Sequence, residues 1–89
     1  MGKARRKRSH IEVICDILNE ALGGANKTRL MYNCNLNFIR FNRYLQELLH
    51  AGLIECVGSN PEGIILYKTS KRGRELLKVL RKASEFLSI

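Results

Sequence analysis

Three observations in the sequence predict an α+β, mainly α fold. Apolar residues recur at helical spacing in several stretches, and Ser or Asn side chains able to cap a helix stand just before three of them. Two short runs rich in β-branched and aromatic residues flank a cluster of turn formers. The chain has 89 residues, 45% of them hydrophobic, enough for one domain with a modest core and too apolar for a disordered polycation.

The elements follow in order. Ser9 and Glu12 fit a capping box, with Ser9 as N-cap and Glu12 at the third helical position. From Ile11 to Leu22 the apolar residues fill one broad helical face, and Glu12, Asp16, Asn19 and Glu20 fill the other. Gly23 and Gly24 stop this first helix. Asn26 caps a short second helix, Lys27–Tyr32, with Leu30 and Met31 turned inward. Asn33, Cys34 and Asn35 form a turn. Asn37 caps a third helix that runs to about His50, with Leu36 and Phe41 as a hydrophobic staple. On a helical wheel, Phe38, Phe41, Tyr44, Leu45, Leu48 and Leu49 share the apolar arc. Leu53–Val57 and Ile64–Lys68 read as two strands of a hairpin around residues 58–63. Thr69 is expected to cap a last helix from Ser70 to about Ser88, whose first turn Gly73 weakens.

A short helix joined by a tight turn to a longer one, then a two-stranded wing, is the winged helix-turn-helix arrangement. A further short strand near residues 24–26 would make the wing sheet three-stranded rather than two-stranded. The division expected is a basic flexible arm over residues 1–8, a winged helix-turn-helix domain over 9–80, and the end of the C-terminal helix over 81–89.

The stretch Lys27-Thr28-Arg29-Leu30-Met31-Tyr32, then Asn35-Leu36-Asn37, Arg43-Tyr44-Leu45 and Gly52-Leu53-Ile54, and the Thr69…Gly73-Arg74-Glu75-Leu76-Leu77 start of the last helix carry a resemblance. Over about residues 9–80 the chain resembles the small basic winged-helix DNA-binding proteins of archaea. Some of these are described as chromatin proteins and others as predicted transcriptional regulators. The resemblance implies a double-stranded DNA partner and pairing through a long C-terminal helix; the final helix here is short by that standard.

The charge agrees with an anionic partner. Sixteen Lys+Arg against eight Asp+Glu leave a formal net charge of +8. The cations are blocked. Lys3, Arg5, Arg6, Lys7 and Arg8 fill the arm without an acid, and over residues 70–82 Lys71, Arg72, Arg74, Lys78, Arg81 and Lys82 meet only Glu75. The first helix is acidic.

The third helix is the expected recognition helix in the major groove. Asn42 and Gln46 suit adenine edges, and Arg40 and Arg43 suit guanine or phosphate. Ile39, apolar on that polar arc, either meets a thymine methyl or packs on a neighbouring loop. Glu47 on the same arc repels phosphate and turns the end of the helix away from the backbone. Lys27, Thr28 and Arg29 open the second helix, where they either hold a phosphate or form a solvent-facing first turn. The arm either follows the minor groove or acts as an electrostatic tether. The wing loop has Glu62 and no Lys or Arg, so Lys68, Lys71, Arg72 and Arg74 either make the flanking phosphate contacts or form a solvated first turn. In the last helix, Leu76, Leu77 and Leu80 pack on the first helix, and Ala83, Phe86, Leu87 and Ile89 are left for a homodimer interface.

Other functions find little support. One Asp, two His and no glycine-rich phosphate loop argue against an enzyme, and no cofactor or small-molecule ligand is indicated. Cys15, Cys34 and Cys56 are too widely spaced for a metal site and read as reduced thiols of a cytoplasmic, nucleoid-associated protein. No apolar run is long enough for a membrane span, so no membrane partner is expected. The alternatives to a DNA-binding regulator or nucleoid protein are a protein-interaction module with an acidic partner and a basic RNA binder.

Overall fold

The computed structural model describes residues 7–87. Four helices and a two-stranded antiparallel sheet follow in the order α1 (His10–Glu20), α2 (Lys27–Asn33), α3 (Phe38–His50), β1 (Ile54–Ser59), β2 (Ile65–Thr69) and α4 (Lys71–Leu87).

The local signals hold at the helix starts. The Ser9 backbone N–H donates to Glu12 Oε1 at 2.8 Å and the Glu12 N–H donates to Ser9 Oγ at 3.1 Å, closing the capping box. Asn26 and Asn37 each accept through Oδ1 from the third helical N–H, those of Arg29 and Arg40, at 2.8 Å. Each cap satisfies a donor that the helix leaves orphaned. Helix α1 ends at Glu20, two residues before the expected Leu22. Ala21 is its cap, and Gly24 turns the chain with φ +93°.

The core lies where α1, α2 and α3 meet the root of the hairpin. Val13, Ile17 and Leu18 of α1, Leu30 of α2, Phe41, Leu45 and Leu48 of α3, Ile54 of β1 and Leu77 of α4 are buried together. Leu36 and Phe41, the staple pair, are both in it. Burying each such side chain contributes about 1.5–3 kcal/mol.

The wing has two strands in this structure. The third strand shrinks to one bridge, in which Ala25 N–H donates to Tyr67 O at 2.9 Å and Tyr67 N–H donates to Ala25 O at 2.8 Å. Gly24 and the capping demand of Asn26 leave a single residue free to pair there. A register shift between Cys56 and Ser59 twists the tip, with Gly58 at φ +113°.

The entry to α4 corrects two expectations. Ser70, not Thr69, caps it: Gly73 N–H donates to Ser70 Oγ at 3.0 Å. Thr69 is instead the buried last residue of β2, and its hydroxyl donates to Leu18 O at 2.6 Å. Either residue can cap; the strand pairing of Thr69 opposite Ile54 decides. Gly73 is no flaw in the first turn. A Cβ there would overlap the Leu53 carbonyl oxygen and stand 2.7 Å from Thr69 Cγ2. The glycine lets α4 lie directly on the α3–β1 link. Gly73→Ala therefore destabilises the domain by about 1–3 kcal/mol through overpacking, although alanine is about 1 kcal/mol the better helix former. Urea unfolding measures the sign; a gain in stability would mean that the α4 entry is not held at that contact.

Candidate nucleic-acid interface

Helix α3 turns Phe41, Tyr44, Leu45 and Leu48 into the core and leaves Ile39, Arg40, Arg43, Gln46 and Glu47 exposed. The expected reading face is therefore outward along most of its length. Two of its residues depart from the wheel.

Phe38, assigned to the apolar arc, is 62% exposed. It lies about 60° round the helix from Phe41, and Leu36 already fills the adjoining core position. Asn42 is only partly exposed, and its Oδ1 is buried without a hydrogen-bond partner. An orphaned buried acceptor costs about 1–3 kcal/mol.

Glu47 is drawn aside. Its Oε1 stands 3.6 Å from His10 Nε2, and the His10 ring meets Tyr44 at a centroid distance of 5.0 Å. His10, Arg40, Arg43, Tyr44 and Glu47 line a cleft of about 270 Å³ between α3 and the start of α1. The acid on the reading face thus faces α1, flanked by two arginines.

The first turn of α2 presents Lys27, Thr28 and Arg29 to solvent. Asn26, Lys27 and Thr28 share a cleft of about 370 Å³ with Gly63, Ile64, Ile65 and Tyr67 of the wing. The wing tip is held by Asn60, whose Oδ1 accepts from the Glu62 and Ile64 N–H groups at 3.0 and 2.9 Å. No Lys or Arg lies between Ile54 and Tyr67.

The flanking cations are not all alike. Lys68 is exposed but stands opposite Glu55 in the sheet register, which offsets its charge. Lys71 and Arg72 are exposed. Arg74 Nη1 donates to Thr69 O at 3.3 Å, so part of its guanidinium is engaged within the domain. The Ser70 hydroxyl donates to Gly52 O at 2.6 Å, which places this cluster at the C-terminal end of α3. The length of α3, about 20 Å, separates it from the opening residues Phe38 and Ile39.

The arm needs a correction at its root. Arg8 is not part of a free tether. Its Nη1 donates to Asp16 Oδ2 at 2.8 Å, and its Nη2 donates to Asn35 O at 3.2 Å. Arg8 thus straps α1 to the turn between α2 and α3, where Asn35 takes φ +56°. Lys7 is exposed; Lys3, Arg5 and Arg6 lie outside the described residues. Sequence offered a trace of this strap in the acids of α1 that follow a basic arm, but no local spacing pairs residue 8 with residue 35.

At the far end of α4, Phe86 is 80% and Leu87 70% exposed, and Ala83 is exposed with them. Ile89 lies outside the described residues. Leu80, Ala83 and Leu87 face Ile11 and Cys15 of α1 across an open groove of about 610 Å³.

Two thiols are held protonated. Burial, then the charges of Asp16 and Glu20, push Cys34 up to about 11. Burial and then Asp16 raise Cys15 as well. Cys34 accordingly packs as a small hydrophobe in the core. Among the described residues, no helix is long and apolar enough to cross a membrane.

Comparison with known proteins agrees with this architecture. A family model described as winged helix-turn-helix matches residues 7–88. An uncharacterized protein of Methanocaldococcus jannaschii is 42% identical over 52 residues, which cover 57% of this chain and 54% of that protein. The chain thus spans about half the length of that curated relative. Among solved structures, the chain is similar to Sso10a-2, a DNA-binding protein from Sulfolobus solfataricus, with a TM-score of 0.75. The match covers 91% of this chain and 83% of the other at 22% identity, a likeness of fold.

The orphaned acceptor of Asn42 generates a stability prediction. Replacing it with an apolar group of similar size, Asn42→Leu, leaves stability unchanged or raises it by about 1 kcal/mol. Chemical denaturation checks this; a clear loss would show that the amide has a stabilising partner.

Proposed function

The chain belongs to the winged helix-turn-helix family, and from that premise we propose that it is a double-stranded DNA-binding protein, a transcriptional regulator or nucleoid-associated protein that binds as a homodimer with α3 in the major groove. The observation that carries the reading is the outward face of α3. Arg40, Arg43 and Gln46 are exposed along it, opposite a filled core, and its one acid is turned towards His10. Exposed Arg and Gln side chains at that spacing match base-edge donors and acceptors.

The remaining cations supply position rather than sequence. Lys27, Thr28 and Arg29 hold one phosphate stretch beside α3, and Lys71, Arg72 and Arg74 hold another at its far end. The wing tip, which carries Glu62 and no cation, stays out of the minor groove. Arg8 is held at the turn between α2 and α3 by Asp16 and the Asn35 carbonyl. The DNA-binding description of Sso10a-2 agrees with this assignment.

The length of α4 supports pairing through it. Helix α4 has 17 residues against 11 in α1. Its last turns stand off from α1 across an open groove, and Phe86 and Leu87 are left in water. A two-fold pair would set two copies of α3 on related half-sites.

Binding is expected to weaken steeply as salt rises, since Lys and Arg release counterions from the phosphates. Arg43→Ala is expected to cost about 1–3 kcal/mol on specific duplexes and little on random ones. Titration of genomic fragments against a random duplex of equal length tests both. A flat salt response would refute the electrostatic grip, and equal losses on both duplexes would reassign Arg43 to phosphate. For the pair, Leu87→Asp is expected to give monomers in sedimentation; unchanged dimers would place the interface elsewhere.

A further inference from the structure

Phe38 and Ile39 open α3, and the structure leaves them 62% and 70% exposed. Neighbouring large apolar side chains in water are unfavourable, and the core has no place for them: Leu36 and Phe41 already occupy the positions on either side. Ile39 lies in the middle of the outward face, within about 40° of Arg43 and about 20° of Gln46. Phe38 lies at its edge, one turn before Asn42. An apolar pair thus sits at the leading end of a polar, cationic face.

The surroundings narrow what can cover it. Arg40 and Arg43 follow directly, and no acid occurs on α3 before Glu47. A second copy of this chain, itself at +8, is a poor partner for a surface with that rim. A polyanion that carries an apolar group within its recognition surface is a good one. In the major groove the apolar feature is the C5-methyl of thymine, and a G·C pair has none. The partner base of thymine adds a second match. Adenine offers an N6 amino donor, and Asn42, on the same side of the helix as Phe38, holds a carbonyl oxygen without a donor. Rotation of that amide towards the groove exchanges an orphan for a bond.

We propose that Phe38 and Ile39 form an apolar reading head for thymine methyl groups, which makes the interface selective for methyl-bearing A·T pairs. The inference rests on the DNA-binding reading above and adds the base class to it. It gives Phe38, a residue whose sequence pattern assigns it to the core, a role in specificity.

The test uses the full chain and two alternating A·T duplexes of one sequence, one with thymine and one with deoxyuridine in its place. The two duplexes share every hydrogen-bonding group and differ in the methyl. Fluorescence anisotropy is expected to show tighter binding to the thymine duplex, by about fourfold for each methyl desolvated. The Phe38→Ala/Ile39→Ala double variant is expected to lose the preference and bind both duplexes equally. Both positions are exposed, and a thermal melt of the variant confirms that it remains folded. Equal wild-type affinity for the two duplexes overturns the proposal, as does discrimination that survives in the double variant. Failure to bind either duplex or genomic fragments at low salt overturns the DNA reading itself, and the methyl reading with it; the two failures are therefore distinct.

Discussion

The junction between β2 and α4 holds the domain's geometry together. Within a few residues, Thr69 N–H donates to Ala21 O at 3.0 Å and its hydroxyl to Leu18 O at 2.6 Å. Ser70 N–H and hydroxyl donate to Leu53 O at 3.0 Å and Gly52 O at 2.6 Å. Gly73 then rests against the Leu53 carbonyl with no space for a side chain. The end of α1, the exit from α3, the wing and α4 are fastened at this one place. Buried carbonyls that would otherwise be orphaned find their donors there. The wing's angle to α3 and the direction in which α4 leaves are both set by this junction.

With the inner faces fixed in this way, the outer face of α3 is free of structural duties over most of its length. Its buried arc is complete in Phe41, Tyr44, Leu45 and Leu48. What remains outward is not a bland solvated helix. It carries two large apolar residues and a half-buried amide with an unmet acceptor, features that lower the stability of the isolated domain. Local departures of this kind from the most stable sequence are concentrated where a protein meets a partner. They lie on the helix that the proposed function sets in the groove.

Much of the fold was legible because its boundaries are written locally. Ser9 with Glu12, Asn26 and Asn37 each mark a helix start within four residues, and the turn cluster from Gly58 to Gly63 marks the hairpin. What escaped depends on contacts distant in sequence. Thr69 and Ser70 are interchangeable as caps until the strand register removes one. Gly73 reads as a weak helix residue until Leu53 is seen beside it. Arg8 reads as one more cation of the arm until Asp16 and Asn35 are both in reach. Phe38 fits the apolar arc on a wheel, and only the prior claim of Leu36 on the core displaces it. The outward face of α3 was legible as a pattern, in Ile39, Arg40, Arg43 and Gln46; the exposure of Phe38 and the approach of Glu47 to His10 were not.

The distribution of charge then bears on how the proposed contact would divide its labour. The wing contributes one cation, Lys68 of β2, and it faces Glu55. Phosphate contacts are left to Lys27 and Arg29 of α2, beside the wing, and to Lys71 and Arg72 of α4, at the C-terminal end of α3. Contacts from two separate elements would fix the register of α3 in the groove at two points. They do not require the wing to enter the minor groove. One such domain would grip a short stretch of duplex through a small number of residues, and its affinity alone would be limited. Joining two copies through the apolar end of α4 would raise the effective concentration of the second domain once the first is bound. On this reading the basic face and the exposed apolar helix end serve one purpose: the first supplies contacts that are individually modest, and the second multiplies them.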